Sequence, residues 1–380
     1  MIGVRSRVWA LAAVVAGLAV IAPGASAAAG VEEARRLRLP EPTGADRVGT
    51  TSVHLVDGGR VDPLAPTVRA REVMVRLWYP AARSGRAPVA GYFPQIQAGA
   101  LTEQLNALLG TDFPGDLLTF PTHSRVDAPA APGPRRPVLL FSPGFGTNAA
   151  LYTGIHEELA SRGYIVAGID HTFDAPAVEF PGGRLEIQNP DLLPGSPELL
   201  ATRVADVRFV LDQLAAGRLP LPRDLGRAMD LGRVAAFGHS LGSITTIAAL
   251  EADPRLVAGA VLDGNPLGPA SLDRPFLMLG NQGHRRADDP DWAGFYDRLR
   301  GPRLHLVIDG TEHADLSDVT IFKHTIDIGA IFQIGPIDGA RALAIQRRYL
   351  TAWLDHTLRN RPVPLLRGES PRFPEVDFQP

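Results

Sequence analysis

Residues 234–250 read VAAFGHSLGSITTIAAL: an apolar run, a corner in which Gly238, Ser240 and Gly242 alternate, and a second apolar run. The pattern is G-x-S-x-G with a strand before it and a helix after it. That context lifts a serine hydroxyl clear of the sheet, because glycines on both sides let neighbouring backbone approach a strained corner. The helix that begins there points its free N–H groups at whatever the serine attacks. Ser240 is therefore the candidate nucleophile, with an ordinary glycine turn as the bland alternative.

A serine nucleophile needs a base, and the base needs an acid that fixes its tautomer. After an elbow of this kind the chain order is Ser, acid, His. Five of the ten histidines follow Ser240. His284 lies in a polar Arg/Asp loop, His305 inside a strand pattern, and His356 in the terminal helix. His324 follows Phe322 and Lys323 without strand context. His313 sits in "VIDGTEHADLSD", four residues past the last apolar strand in a glycine-bearing loop, and is the candidate base, with His324 its rival. The acid is open on position alone. Asp263 ends the strand after the nucleophile's helix, in "AVLDGNP". Asp288, Asp289 and Asp291 stand one strand later in "HRRADDPD" and read equally well as a solvated loop. Asp309 lies too near His313 along the chain to be preferred.

Ester or amide chemistry also needs two donors for the developing oxyanion. One is expected from the backbone N–H of Leu241, next to the nucleophile. The other is expected from the loop "SPGFG" at residues 142–146, where glycines flank Phe145 and let its amide turn toward the serine.

These groups need a scaffold. Strand patterns fall at residues 51–57, 72–80, 136–144, 164–170, 233–238, 257–263, 275–281 and 303–309. Most are apolar without strict alternation, as in strands covered on both faces of a parallel sheet. Helical patterns fall between them at 148–162, 196–214, 241–251 and 339–358, so crossover units and one parallel sheet are expected. In 196–214, Ser196 is a plausible cap, Pro197 suits the first turn, and Leu199, Val204, Val207, Val210, Leu211 and Leu214 form the expected buried stripe. Residues 91–134 and 172–195 interrupt the rhythm. The first contains an amphipathic "GALTEQLNALL", either a core-packed helix or a lipid-contacting one. The second contains "VEFPGGRLEIQ", a hairpin pattern. The expected organisation is a segment 1–27, a polar surface segment 28–50, and a single domain 51–380 carrying both insertions.

Composition narrows the function classes. The 380 residues include 38 basic and 41 acidic ones, a net charge of −3 that offers no electrostatic case for nucleic acid. There is no cysteine, hence no disulfide, thiolate metal site or cysteine nucleophile. No convincing metal-ligand cluster or cofactor motif is visible, and neither metal nor cofactor is expected. Arg5 and Arg7, the apolar run 8–22 and the "ASA" at 25–27 make up a secretory signal pattern, with cleavage expected near Ala27 and an exported product.

Taken together, "RLWYP", "LLFSPGFG", "VAGIDH", "RVADVRFVLDQL", "GHSLG", "VLDGN", "GTEHADLSD" and "IDGARALAIQRRYLTAWLDHTL" resemble the plasma and type II intracellular platelet-activating factor acetylhydrolases and their bacterial esterase and lipase relatives. The likeness covers most of the chain after residue 70. It implies an α/β-hydrolase fold, a mostly parallel central sheet with helices on both faces. It places the nucleophile on Ser240, the acid on Asp263, the base on His313 and the oxyanion donors on the amides of Phe145 and Leu241, with calcium-independent action. Pro143 departs from the plasma members, which carry histidine there. Polyester hydrolases and triacylglycerol lipases resemble the chain more distantly.

The expected activity is that of a secreted serine esterase acting through an acyl-enzyme. The resemblance implies short or oxidised acyl chains on a lipid-like alcohol, a small-molecule or lipid ester as partner, and no obligate protein partner. Rival readings are a general carboxylesterase or lipase, an acyltransferase using the same triad, and a non-catalytic binding protein on the same fold.

Overall fold

The apolar runs between turn signals form the middle of one sheet in the computed structural model, which describes residues 37–83, 87–266, 270–323, 325–329 and 331–380. The segment 1–27 and His324 lie outside the described residues. In chain order the strands are β1 (Arg47–Val61), β2 (Ala70–Ala81), β3 (Val89–Gly91), β4 (Pro121–Val126), β5 (Arg136–Ser142), β6 (Ile165–Asp170), β7 (Ala177–Phe180), β8 (Arg184–Ile187), β9 (Met229–His239), β10 (Leu256–Leu262), β11 (Phe276–Asn281), β12 (Arg303–Ile308) and β13 (Val376–Gln379). Eleven of them form one sheet in the order β13-β12-β11-β10-β9-β5-β6-β2-β1-β4-β3, and β7 and β8 pair apart as a hairpin. The run from β6 through β5, β9, β10 and β11 to β12 is parallel. β2 joins it antiparallel to β6, and β13 closes the other end antiparallel to β12.

Every residue of β5 and β11 is buried, because both faces of the sheet are covered. One face packs on the helices Pro197–Ala216, Leu241–Ala252 and Pro290–Arg298. The other packs on Thr153–Ser161 and Gly339–Arg359. The longer helices begin and end where local chemistry allows. Ser196 accepts a hydrogen bond from the Leu199 amide, Pro197 opens the first turn, and Gly217 ends the helix in the left-handed region. Asp338 caps Gly339–Arg359 through the Arg341 amide. Among the described residues no helix is long and apolar enough to cross a membrane.

Three features differ from expectation. Leu37 and Leu39 are buried in one cluster with Tyr92, Phe93 and Leu117, and β1 already begins at Arg47, so the segment expected at the surface is anchored at both ends while residues 40–47 stay partly or fully exposed. Residues 121–126, inside the first interruption, form β4 and lie parallel to β1. The acidic loop after β11 contains the helix Pro290–Arg298, which starts because Asp289 accepts hydrogen bonds from the Asp291 and Trp292 amides and Pro290 takes the first turn.

Parallel strands send all their C-terminal ends to one edge. The loops after β5, β9, β10 and β12 therefore emerge together, and that edge holds Phe145, Ser240, Leu241, Asp263 and His313.

Candidate active site

The chain turns from β9 into the helix Leu241–Ala252 at Ser240, whose φ of 55° and ψ of −121° lie where side-chain-bearing residues rarely sit. Neighbouring glycines make the corner possible. A Cβ on Gly242 would lie 1.9 Å from the Ser142 carbonyl oxygen, and one on Gly238 would lie 2.2 Å from that of Gly242. No side chain fits at either position, so the two glycines of the motif answer to strand β5 and to each other.

Asp263 follows β10 and is buried, also with a positive φ of 51°. Its Oδ2 accepts a 2.6 Å hydrogen bond from His313 Nδ1. Asn281 supplies two more donors, its backbone N–H to Oδ1 at 2.6 Å and its side-chain amide to Oδ2 at 2.9 Å. Burial alone would raise the Asp263 carboxyl. His313 first, then His284 and the Asn281 amide, together outweigh burial and hold it below its ordinary value. His313 lies in a short helical turn after β12, a quarter exposed, with Nε2 as its remaining base.

The structure thus brings Asp263 and His313 together. Ser240 stands on the same edge, but its hydroxyl makes no hydrogen bond to the His313 ring among the described residues. Its neighbour His239 forms the link. The His239 ring lies 4.6 Å from that of His313, centroid to centroid, and its Nε2–H donates to the His313 carbonyl at 3.0 Å. Nδ1 then has only a lone pair and accepts from the Tyr152 hydroxyl at 2.8 Å. Burial, helped by the nearby His313, pushes the His239 imidazole down to about 3, so it stays neutral in this tautomer.

The rival acids go elsewhere. Asp289 takes His284 Nδ1 at 2.7 Å and caps its helix, while Asp288 and Asp291 are exposed. Asp309 pairs with Arg285. His284 does touch the site, with Nε2 3.4 Å from Asp263 Oδ1. His305 is buried in β12, and His356 faces the Arg361 carbonyl.

Leu241 shares one small apolar cluster with Leu64, Phe173 and Leu199, and the partly buried Phe145 packs against that cluster. A Cβ on Gly144 would lie 3.3 Å from Ser240 Cβ, which puts the loop after β5 directly against the serine. Among the described residues neither the Phe145 nor the Leu241 N–H has a hydrogen-bond acceptor. The same edge contains a group of potential metal-ligand atoms, those of His239, Asp263 and His313, all within 4.8 Å of one another. Both His239 nitrogens and His313 Nδ1 are already committed to hydrogen bonds, which suits proton transfer better than metal ligation. Sequence reasoning did not single out His239 or Tyr152, and it set His284 aside as part of a polar loop. The only available signal was that His239 stands inside the G-x-S-x-G motif.

Comparison with known proteins agrees with this architecture. The model of the family "Platelet-activating factor acetylhydrolase, isoform II" matches residues 33–179 and 222–361. A probable 1-alkyl-2-acetylglycerophosphocholine esterase of Arthroderma benhamiae is 28% identical over 90% of this chain and 93% of its own. A platelet-activating factor acetylhydrolase of Cavia porcellus is 26% identical over 75% of this chain and 72% of its own. Among solved structures, a ferulic acid esterase from Streptomyces cinnamoneus superposes with a TM-score of 0.76 at 36% identity, covering 90% of this chain and 98% of that one. The chain therefore belongs to the platelet-activating factor acetylhydrolase, isoform II family and is a carboxylic ester hydrolase on an α/β-hydrolase fold.

Proposed function

We propose that this esterase works through Ser240, His313 and Asp263. The observation that carries the reading is the 2.6 Å bond from His313 Nδ1 to Asp263, made at the edge where Ser240 occupies its strained corner. With Nδ1–H held by the carboxylate, Nε2 accepts the serine proton as Ser240 Oγ attacks the ester carbonyl. A side-chain rotation of Ser240 closes this contact when substrate binds, since such bonds are often loose in free enzymes. The Phe145 and Leu241 amides receive the oxyanion. His313 then protonates the leaving alcohol, and water activated by the same ring releases the acid and restores Ser240.

The favoured substrates are esters with a short or oxidised acyl chain on a lipid-like alcohol, in line with the names of the curated relatives. A second reading, an aromatic ester of the feruloyl kind, is favoured by the 36% identity to the ferulic acid esterase. The basic flank, apolar run and small-residue exit of residues 1–27 support export. One series of rates separates the substrates: 2-acetyl, 2-butyryl and 2-palmitoyl glycerophosphocholines, the matching p-nitrophenyl esters, and methyl ferulate. The first reading expects the 2-acetyl phospholipid to exceed the palmitoyl one by at least about tenfold in kcat/KM, a difference of about 1.4 kcal/mol in barrier. A preference for methyl ferulate over every acetyl ester would replace it with the second.

A further inference from the structure

The loop that presents Phe145 is held by buried charges. Arg203, from the helix Pro197–Ala216, is completely buried. Its Nη1 pairs with Asp174, and its Nη2 donates to the Pro143 carbonyl and, at 3.1 Å, to Ser142 Oγ. Asp174 is buried as well, and its Oδ1 accepts the Gly146 N–H at 3.2 Å. One ion pair thus grips both ends of the loop, the cation holding the carbonyl of residue 143 and the anion holding the amide of residue 146. Between them, the Gly144 carbonyl accepts from Thr147 Oγ1 at 2.9 Å, and the Gly144 N–H reaches the Tyr152 hydroxyl at 3.4 Å. The remaining amide is that of Phe145.

Behind this pair lies a second buried layer whose protons can be assigned. Asp206 takes two hydrogen bonds from Arg71, at 2.6 and 3.1 Å, and accepts His171 Nδ1–H at 2.9 Å. His171 Nε2 then has only a lone pair and accepts from the Ser142 hydroxyl at 2.9 Å, leaving that oxygen to accept from Arg203. Burial and the neighbouring Arg203 push the His171 imidazole down to about 4, so it stays neutral and the chain of donors keeps one direction. Arg71 is anchored in turn by Asp62 and the Thr172 carbonyl.

Buried ion pairs seldom stabilise a fold more than apolar residues of equal volume would, because desolvation offsets the attraction. Their geometric effect is more secure, since a fixed fork of donors sets the orientation of each acceptor it meets. From this geometry we infer that Arg203 and Asp174 are positioning residues. They set the peptide planes of residues 143–146 so that the Phe145 N–H is aimed, before substrate arrives, at the site of the oxyanion. The inference rests on the proposed Ser240 mechanism and adds to it the device that preorganises its oxyanion donor.

The test uses Arg203→Lys and Asp174→Asn in the full-length enzyme. Lysine cannot reach Pro143, Ser142 and Asp174 together, and asparagine keeps an acceptor for Gly146 while leaving Arg203 without its counter-charge. Both variants are expected to lose about 10–10²-fold in kcat/KM on short-chain p-nitrophenyl esters, part of the effect of losing an oxyanion donor outright. The Ki of a trifluoromethyl ketone, whose hemiketal carries the oxyanion, is expected to rise by the same factor. The Ki of the matching ether, which has no carbonyl, should stay within about twofold. Folded variants that keep wild-type kcat/KM and ketone affinity would overturn the inference, as would equal losses for ketone and ether. Should neither variant fold, a crystal structure of the wild-type enzyme with the ketone decides. The hemiketal oxygen is expected within about 3.1 Å of the Phe145 nitrogen with Arg203 still on the Pro143 carbonyl, and any other donor in that place refutes it. Ser240→Ala separates this failure from that of the mechanism. If Ser240→Ala stays active, the triad reading falls. If it is silent while the Arg203 and Asp174 variants behave as wild type, only the clamp falls.

Discussion

Changing Asp263 to asparagine removes one charge and almost no volume, and the structure allows its effect to be worked through. Both carboxylate oxygens accept hydrogen bonds: Oδ1 from the Asn281 backbone, Oδ2 from His313 Nδ1 and the Asn281 side chain. An amide offers one acceptor and one donor. If its NH₂ replaces Oδ2 it meets the His313 N–H head-on. If it replaces Oδ1 it meets the Asn281 backbone N–H, which cannot move without disturbing β11. The cheaper solution is for His313 to move its proton to Nε2 and accept through Nδ1, and in that tautomer it cannot take a proton from Ser240. A loss of about 10³–10⁴ in kcat is expected, or about 4–5 kcal/mol of barrier. The fold should survive, because asparagine tolerates the positive φ of 51° at this position better than most residues. Asp289→Asn is the control. It replaces one good helix cap by another and touches His284 but not His313, so its loss is expected to stay within about fivefold. The assay is kcat and KM for p-nitrophenyl acetate at constant pH, with thermal unfolding of each variant to establish folding. The reasoning is refuted if Asp263→Asn keeps more than about a tenth of wild-type kcat, or if Asp289→Asn falls as far.

Two further outcomes follow from buried groups near the site. Tyr152→Phe removes the donor to His239 Nδ1 and the acceptor of the Gly144 amide, leaving two buried groups unpaired; a loss of about 1–3 kcal/mol in urea unfolding is expected, with a severalfold fall in kcat, and unchanged stability would show the network to be slack. Asp318 is buried, and burial, against the Gly154 amide, pushes its carboxyl up from 3.8 to about 7. The folded state thus holds the proton more tightly, so this group's contribution is complete below pH 4 and is lost as pH rises to about 7, on the order of 4 kcal/mol in all. Asp318→Asn imitates the protonated acid toward Gly154 and Tyr92, and it should be more stable than wild type at pH 8 but not at pH 4. Parallel stability curves at the two pH values would contradict the assignment.

Much of this molecule is readable from its residues, for reasons that can be named. Unalternating apolar runs between turn signals mark β5, β9, β10, β11 and β12, because strands covered on both faces leave no polar side to confuse them. Ser240 is readable because its corner tolerates no side chain at residues 238 and 242. Which of Asp263 and Asp289 meets His313 is not a local matter. It depends on β11 pairing with β10, Leu262 opposite Leu279, which brings Asn281 to the Asp263 carboxylate. Helix 197–216 shows the limit of periodicity. The expected stripe lands on the buried face at Leu199, Val207, Val210, Leu211 and Leu214, but Val204 is only partly covered, and Thr202, Arg203 and Asp206, which an apolar pattern passes over, are buried beside it. Arg203 stands one turn from both Leu199 and Val207. A charge in that position is buried only because Asp174, 29 residues earlier, and the Pro143 carbonyl complete its environment. Leu37 and Leu39 were hidden for a similar reason, since their partners at residues 92–117 are far along the chain.

The most direct measurement is the site of covalent capture. Treating the enzyme with a fluorophosphonate and mapping the adduct by peptide mass spectrometry should place one phosphonyl group on Ser240, with hydrolysis lost in step with labelling and no adduct on Ser240→Ala. A stoichiometric adduct on any other residue, or undiminished hydrolysis by the Ser240→Ala protein, would contradict the account.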